Sequence, residues 1–269
     1  MLITKASGKK ELFDPQKLLS SIKRAGVPPS LQNEALSHVQ NILYSGITTS
    51  EIYNHITEFL AQSKYPFTKA SYSLKRAIMD LGPTGYPFED YIAEILKLQG
   101  YKTKTRSLLS GKCVTHEVDI IATKGSEKLL VECKFHNNPG NHCNVHVPLY
   151  TKARFDDLKE KHGLTQVMLV TNTKITPDAL AYALCENIKV LSWNYPQEQG
   201  LRDIIEKEKL YPLTQLQKIS LSQKQSLFQN HVVLCEDVVK NSDALDLLNL
   251  PKEKRDEVLA EAHFVCKRS

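Results

Sequence analysis

No C-x-x-C pair occurs among the six cysteines, Cys113, Cys133, Cys143, Cys185, Cys235 and Cys266, so the chain has no dithiol or zinc-ribbon framework. Cys133 and Cys185 fall in apolar patterns that predict buried thiols, and a reducing, cytoplasmic setting is expected. No apolar run approaches the length of a membrane span and the N-terminus has no signal-peptide pattern, so no membrane partner is expected. Low-complexity tracts and clean repeats are absent, which sets aside linkers and solenoids. There is no G-x-x-x-x-G-K-[ST] loop, and nucleotide hydrolysis by a P-loop is excluded. The charge imbalance is small. A net charge of +5 permits nucleic-acid binding without demanding it. What is present is ordinary for a globular protein, with 24% charged and 41% hydrophobic residues, and 269 residues suffice for two or three domains.

The grammar of the sequence changes twice. Residues 1 to about 83 open with a strand-like "LITKASGKKELF" and continue with helical periodicity in "DPQKLLSSIKRAG". There Asp14 is the expected N-cap, Pro15 the first helical residue and Gly26 the stop. Further helices are predicted over 31–45, over 49–63 (capped by Thr49 or Ser50) and over 69–82. "GPTGYP" at 82–87 is the clearest break. Next, "FEDYIAEILKLQGY" has apolar residues at 88, 91, 92, 95, 96 and 98, the mark of a core-facing helix ending at Gly100. A hairpin, a helix near 149–162, a strand "QVMLVTN", a helix over 177–186 and a strand "IKVLSW" follow. This order implies a mixed sheet with helices on its faces. From about 200 onward the chain reads as short helices.

The stretch "HEVDIIATKGSEKLLVECKFH" places four ionisable residues inside two strand-like runs. Gly125-Ser126 suits a two-residue turn. Pairing outward from Lys124 and Glu127 puts Asp119 opposite Glu132 and Glu117 opposite Lys134. Directly opposed residues share a face, so all four project to one side. Three carboxylates and a lysine on one face repel unless paired or neutralised. A hard divalent cation such as Mg²⁺ would resolve the conflict. A solvated edge hairpin with ordinary cross-strand ion pairs is the alternative.

The central segment resembles the Mrr-type branch of the restriction-endonuclease-like, PD-(D/E)xK, nucleases. The likeness lies in "FEDYIAEILKLQGY" with its early glutamate, the strand aspartate of "EVDII", and "VECK", a hydrophobic strand ending in E-x-K. It implies that Asp119 and Glu132 are metal ligands, that Lys134 is the catalytic lysine, and that Glu89 is the helix carboxylate reaching the metal. Glu117 has no family counterpart and rests on the hairpin geometry. The resemblance implies Mg²⁺ or Mn²⁺ as cofactor and DNA as substrate.

The first segment resembles an ATP-cone, in "ITKASGKKELFDPQKLLSSIKRAG" and "GITTSEIYNHITEFL". By that likeness Lys5, Lys9 and Lys17 face phosphates and Thr49 helps hold ATP or dATP, although Ala6 stands where the family commonly has a basic residue. The tail has a distant likeness to helix-hairpin-helix folds, without their glycine-rich turn; packing or dimerisation is an equal reading.

Two constellations weigh less. His136, His142, Cys143 and His146 lie within one loop. The adjacency of 142 and 143 strains a tetrahedral zinc cage, and a substrate-side loop is favoured. Lys152, Arg154 and Lys159, with Tyr150 as a stacking candidate, lie on the next helix and suit either phosphate contact or a solvated face. The expected fold is thus a restriction-endonuclease-like α/β core over 85–198. An α+β ATP-cone over 1–84 precedes it and a small all-α domain over 199–269 follows. The expected function is a metal-dependent endodeoxyribonuclease regulated by adenine nucleotide, with homo-oligomerisation open. The alternative is a nucleotide-responsive DNA-binding protein with an inactive nuclease fold.

Overall fold

A computed structural model describes residues 1–63, 72 and 74–267. The chain forms two compact units: one of 1–78, 138–140 and 211–269, the other of 79–137 and 141–210.

The first unit begins with an antiparallel ribbon, β1 (Leu2–Thr4) against β2 (Lys10–Leu12). It turns through Gly8 at φ +80°, a conformation that favours glycine. Helices α1 (Pro15–Arg24), α2 (Pro29–Ile42), α3 (Thr49–Ala61) and α4 (Leu74–Met79) follow. Asp14 caps α1 as expected, its Oδ1 accepting from the Gln16 and Lys17 amides at 2.9 and 3.3 Å. The cap of α3 is Thr48 rather than Thr49 or Ser50. Its Oγ1 accepts the Glu51 amide at 3.1 Å while Glu51 takes the Thr48 amide at 2.9 Å, a reciprocal capping box. Ile22, Ala35, Val39, Ile47, Ile56 and Leu60 form the core of this part. Much of the helix predicted over 69–82 lies outside the described residues; α4 is its described portion.

Residues 211–267 contribute two short helices, Leu221–Phe228 and Cys235–Lys240, and a longer one, Lys252–Lys267, to the same unit. The buried Glu261 accepts the Gln217 and Lys218 amides at 2.8 and 2.9 Å, so its charge meets two otherwise unsatisfied donors.

The second unit holds α5 (Tyr86–Leu98) and a five-stranded sheet in the order β3-β4-β5-β7-β9. Its strands are β3 (Lys102–Ser110), β4 (Thr115–Lys124), β5 (Glu127–Lys134), β7 (Gln166–Thr171) and β9 (Lys189–Leu191). The first three pair antiparallel and the last three parallel, as the strand–helix–strand pattern implies. Helix α6 (His146–His162) links β5 to β7, and α7 (Pro177–Cys185) links β7 to β9. Two-residue strands β6 (His142–Cys143) and β8 (Lys174–Ile175) pair beside them. The second unit runs on to Leu210 and includes α8 (Leu201–Glu208).

Sequence pattern and structure part in several places. Strand β3 was not expected, because "KTKTRSLLS" is polar; it is an edge strand with half its side chains in solvent. Helix α6 starts three residues earlier than predicted, since Pro148 is tolerated in a first turn. Leu98, expected in the core, is 54% exposed at the end of α5, and Cys185 is exposed at the end of α7 rather than buried. The hairpin turn forms at Gly125 (φ +57°), and pairing runs from Lys124↔Glu127 to Ile120↔Val131 in the predicted register.

Candidate active site

Strand β4 is irregular at Asp119. Its ladder to β5 ends at Ile120↔Val131, and its ladder to β3 skips the step between Thr105↔Ile120 and Ser107↔Val118. Opposite the skipped residue is Arg106, whose φ of +48° is uncommon for a residue with a side chain. Val118 and Ile121 both pack into the cluster around Val147 and Leu158 of α6, which an unbroken two-residue alternation forbids. The gap frees the Asp119 carboxylate to act as a ladder acceptor: its Oδ2 takes the Cys133 amide at 2.7 Å. That bond leaves Oδ1 for another ligand.

Glu132 projects from β5 and is 6% exposed. Arg154 of α6 donates an Nη1 hydrogen bond to its Oε2, and the Tyr150 hydroxyl donates a second. Burial and then the charge of Asp119 still push the Glu132 carboxyl from 4.5 up to about 7. Asp119 is raised as well, first by burial. Glu89, in the first turn of α5, follows the same pattern: burial and then Asp119 raise it to about 7. Arg106 steadies it, bonding Glu89 Oε2 at 3.3 Å and Asp90 Oδ1 at 2.8 Å. Three carboxylates from α5, β4 and β5 are therefore raised, Glu89 and Glu132 both in part by the charge of Asp119.

The remaining predicted groups sit around them. Lys134 ends β5, and its positive charge lowers the pKa of both Asp119 and Glu132. Glu117 is exposed and lies in the β3 ladder opposite Leu108; its charge raises Asp119. Among the described residues no three His, Cys, Asp or Glu side chains close into a metal cage, so the His/Cys loop holds no zinc grouping, and Cys143 is core. Mg²⁺ needs no such cage, since it is usually held by one or two carboxylates plus water and phosphate. The donor set fits it: the carboxylates offer only oxygen, and a divalent charge would oppose the pKa elevation of all three acids.

His116 bonds Asp157 of α6 at 2.8 Å, a structural role. Asp157 also accepts the Cys113 and Val114 amides at 2.7 and 3.3 Å. The charge-assisted contacts hold its carboxyl below the usual range against a desolvation that pushes the other way, and they fasten the β3–β4 turn to the helix. Lys152 pairs with Asp156 and Glu186, and Lys159 with Asp156.

In the N-terminal unit, Lys17 and Thr49 line one cleft of about 210 Å³ together with Glu11, Ile3, Tyr53 and Tyr72. Lys5 and Lys9 do not line it. Lys5 instead ion-pairs with Glu11 at 2.6 Å. The hydrogen bond from Lys5, with the charges of Lys5, Lys17 and Lys9, lowers the Glu11 carboxyl. Lys5 thus touches this carboxylate, and the charges of Lys17 and Lys9 also act on it.

Three family models match: an ATP cone domain over residues 1–81, a restriction endonuclease domain over 83–194, and an AF1548-like C-terminal domain over 211–266. An uncharacterized protein of Archaeoglobus fulgidus is 39% identical over 175 residues, which is 65% of this chain and 99% of the relative. The chain belongs to the AF1548-like family. The crystal structure of AF1548, a protein of unknown function, superposes with a TM-score of 0.62 and 37% identity, covering 69% of this chain and all of that one. The restriction-endonuclease-like core is thus preceded by an ATP cone and followed by a helical region. The restriction-endonuclease match contains Glu89, Asp119, Glu132 and Lys134, and the ATP-cone match contains Lys5, Lys9, Lys17 and Thr49.

Three residues at the candidate site were not legible in these roles from the sequence: Arg106, Arg154 and Tyr150. Arg106 sits in the unforeseen strand, and nothing local signals its left-handed backbone. Arg154 and Tyr150 were visible as a cation and an aromatic on α6, but their partner Glu132 is on another element, and only the fold brings them together. Glu11 was missed at the N-terminal cleft; its place two residues after Lys9, the same-face spacing of an extended strand, was the available signal.

Proposed function

We propose that this protein is a metal-dependent endodeoxyribonuclease, with its nuclease domain over 85–198, whose activity or assembly responds to adenine nucleotide at the domain over 1–84. The observation that carries the reading is the convergence of Glu89, Asp119 and Glu132 into one field of depressed acidity, with Lys134 beside it. Asp119 and Glu132 are the residues that would hold Mg²⁺ or Mn²⁺, and Glu89 adds a direct or water-mediated contact. When bound, such a cation polarises a phosphodiester and lowers the pKa of a coordinated water. Lys134 orients the attacking water and offsets charge developing on the phosphate. Arg106 keeps Glu89 aimed inward, and the Cys133 amide keeps Asp119 in place.

The nucleotide half rests on the ATP-cone family match and on the charges of Lys5, Lys17 and Lys9, all of which act on Glu11. A triphosphate at Lys17 and Thr49 would replace Glu11 as the lysines' counter-charge. ATP or dATP then acts as a regulatory ligand, since no hydrolytic loop is present. Coupling to the nuclease requires that nucleotide favour one arrangement or oligomeric state over another. Supercoiled plasmid incubated with Mg²⁺ or Mn²⁺, with and without ATP, tests both halves. Nicking that EDTA abolishes supports the first, and a rate or light-scattering change with ATP supports the second. No nicking with either metal refutes the enzyme reading and leaves a DNA-binding protein with an inactive nuclease fold.

A further inference from the structure

Arg154 engages Glu132 through Nη1, and its guanidinium lies over the Tyr150 ring at 5.7 Å from the centroid. A guanidinium has five N–H donors in one plane, so this contact leaves donors to spare. Arg154 and Tyr150 also line a cleft of about 610 Å³ with Lys112, Val114 and His116. Asp157 fixes one wall of that cleft by holding the 111–115 turn. Lys152 and Lys159 of the same helix already have carboxylate partners, whereas the partner of Arg154 is the very carboxylate that the nuclease reading assigns to a cation.

A divalent cation and a guanidinium on one carboxylate are like charges in contact, and the low dielectric around Glu132 strengthens their repulsion. Binding of the cation therefore loosens Arg154. The anion nearest at hand is then a phosphodiester brought to the cation, and planar guanidinium groups recognise phosphate well. We propose that Arg154 is an exchange residue: it positions and neutralises Glu132 in the metal-free protein, then turns to a substrate phosphate at the mouth of this cleft once a cation occupies Glu132. Tyr150 serves as the platform on which the guanidinium plane pivots. This inference rests on the nuclease reading.

The full-length variants Arg154→Met, which keeps much of the aliphatic stem, and Arg154→Lys, which keeps charge without the fork, separate the roles. In calorimetry with Mn²⁺ alone, Arg154→Met should bind about tenfold more tightly than wild type, because a competing charge of ordinary ion-pair strength is gone. A short DNA duplex followed by fluorescence anisotropy should show the opposite change. In Ca²⁺ the Met variant should bind about tenfold more weakly, while in EDTA, where Arg154 is held by Glu132, wild type and variant should match. Arg154→Lys should be intermediate in both assays, and it carries the test if the Met variant does not fold. Mn²⁺ affinity that is unchanged or weakened, or a DNA defect equal in Ca²⁺ and EDTA, overturns the exchange. Wild-type protein that binds neither Mn²⁺ nor DNA overturns the nuclease reading itself.

Discussion

Glu132→Gln keeps the side chain's shape and removes its charge, so it isolates what the buried carboxylate costs the metal-free protein. Burial and the neighbouring Asp119 raise this carboxyl from 4.5 to about 7. Between those values native Glu132 holds a proton that the unfolded chain has released. The native state binds more protons there, so stability falls as pH climbs from about 4.5 to about 7 and is level above. At about 1.36 kcal/mol per tenfold change in proton affinity, the full loss is roughly 3 kcal/mol. The Gln variant escapes this loss but weakens the contact with Arg154, so its net gain at pH 8 should be about 1–3 kcal/mol. At pH 5, where native Glu132 is already neutral, the gain should be near zero. Urea unfolding followed by the fluorescence of Trp193, the single tryptophan, reads the unit that holds Glu132 directly, and an unchanged denaturant slope shows that stability alone has moved. Mn²⁺ should restore wild-type stability at pH 8 and have much less effect on the variant. A variant that is less stable than wild type by the same amount at both pH values refutes the reasoning.

Asp119→Asn retains an acceptor for the Cys133 amide, so it should fold normally by circular dichroism yet lose plasmid cleavage. Lys17→Ala should reduce the rise in melting temperature that ATP gives the full-length protein, whereas Glu11→Gln, which removes the carboxylate competing for the lysines, should tighten ATP binding in calorimetry. Leu158 is fully buried in the cluster beneath α6; Leu158→Ala should cost about 2–5 kcal/mol by urea unfolding.

The elements that carry periodic apolar residues were legible in the sequence, and so was the hairpin register, because Gly125 and the two hydrophobic runs leave little freedom. The irregular step at Asp119 was not. A regular ladder would have put Asp119 directly across from Glu132, but the strands part there and the aspartate takes a backbone amide instead. No local pattern encodes that, since the break lies opposite Arg106 of the neighbouring strand β3, whose left-handed backbone has no sequence signature. Edge strand β3 was invisible for a related reason: a strand with one solvated face and one neighbour has little hydrophobic signature. The lysines of the first segment were singled out by the ATP-cone likeness alone, and Glu11, the carboxylate on which their charges act, had no place in that reading. Among the described residues no helix is long and apolar enough to cross a membrane, in keeping with the absence of any such run in the sequence.

If Lys134 and the three carboxylates form a metal-dependent phosphodiester-hydrolysing centre, DNA cleavage must depend on both the cation and the lysine. The most direct measurement is the rate at which supercoiled plasmid is converted to nicked circles in saturating Mg²⁺, for wild type and Lys134→Ala side by side, each repeated in EDTA. Wild type should cleave in Mg²⁺ and not in EDTA, and Lys134→Ala should be slower by about a hundredfold or more. Equal rates for the two proteins, or wild-type cleavage that survives EDTA, would contradict this reading.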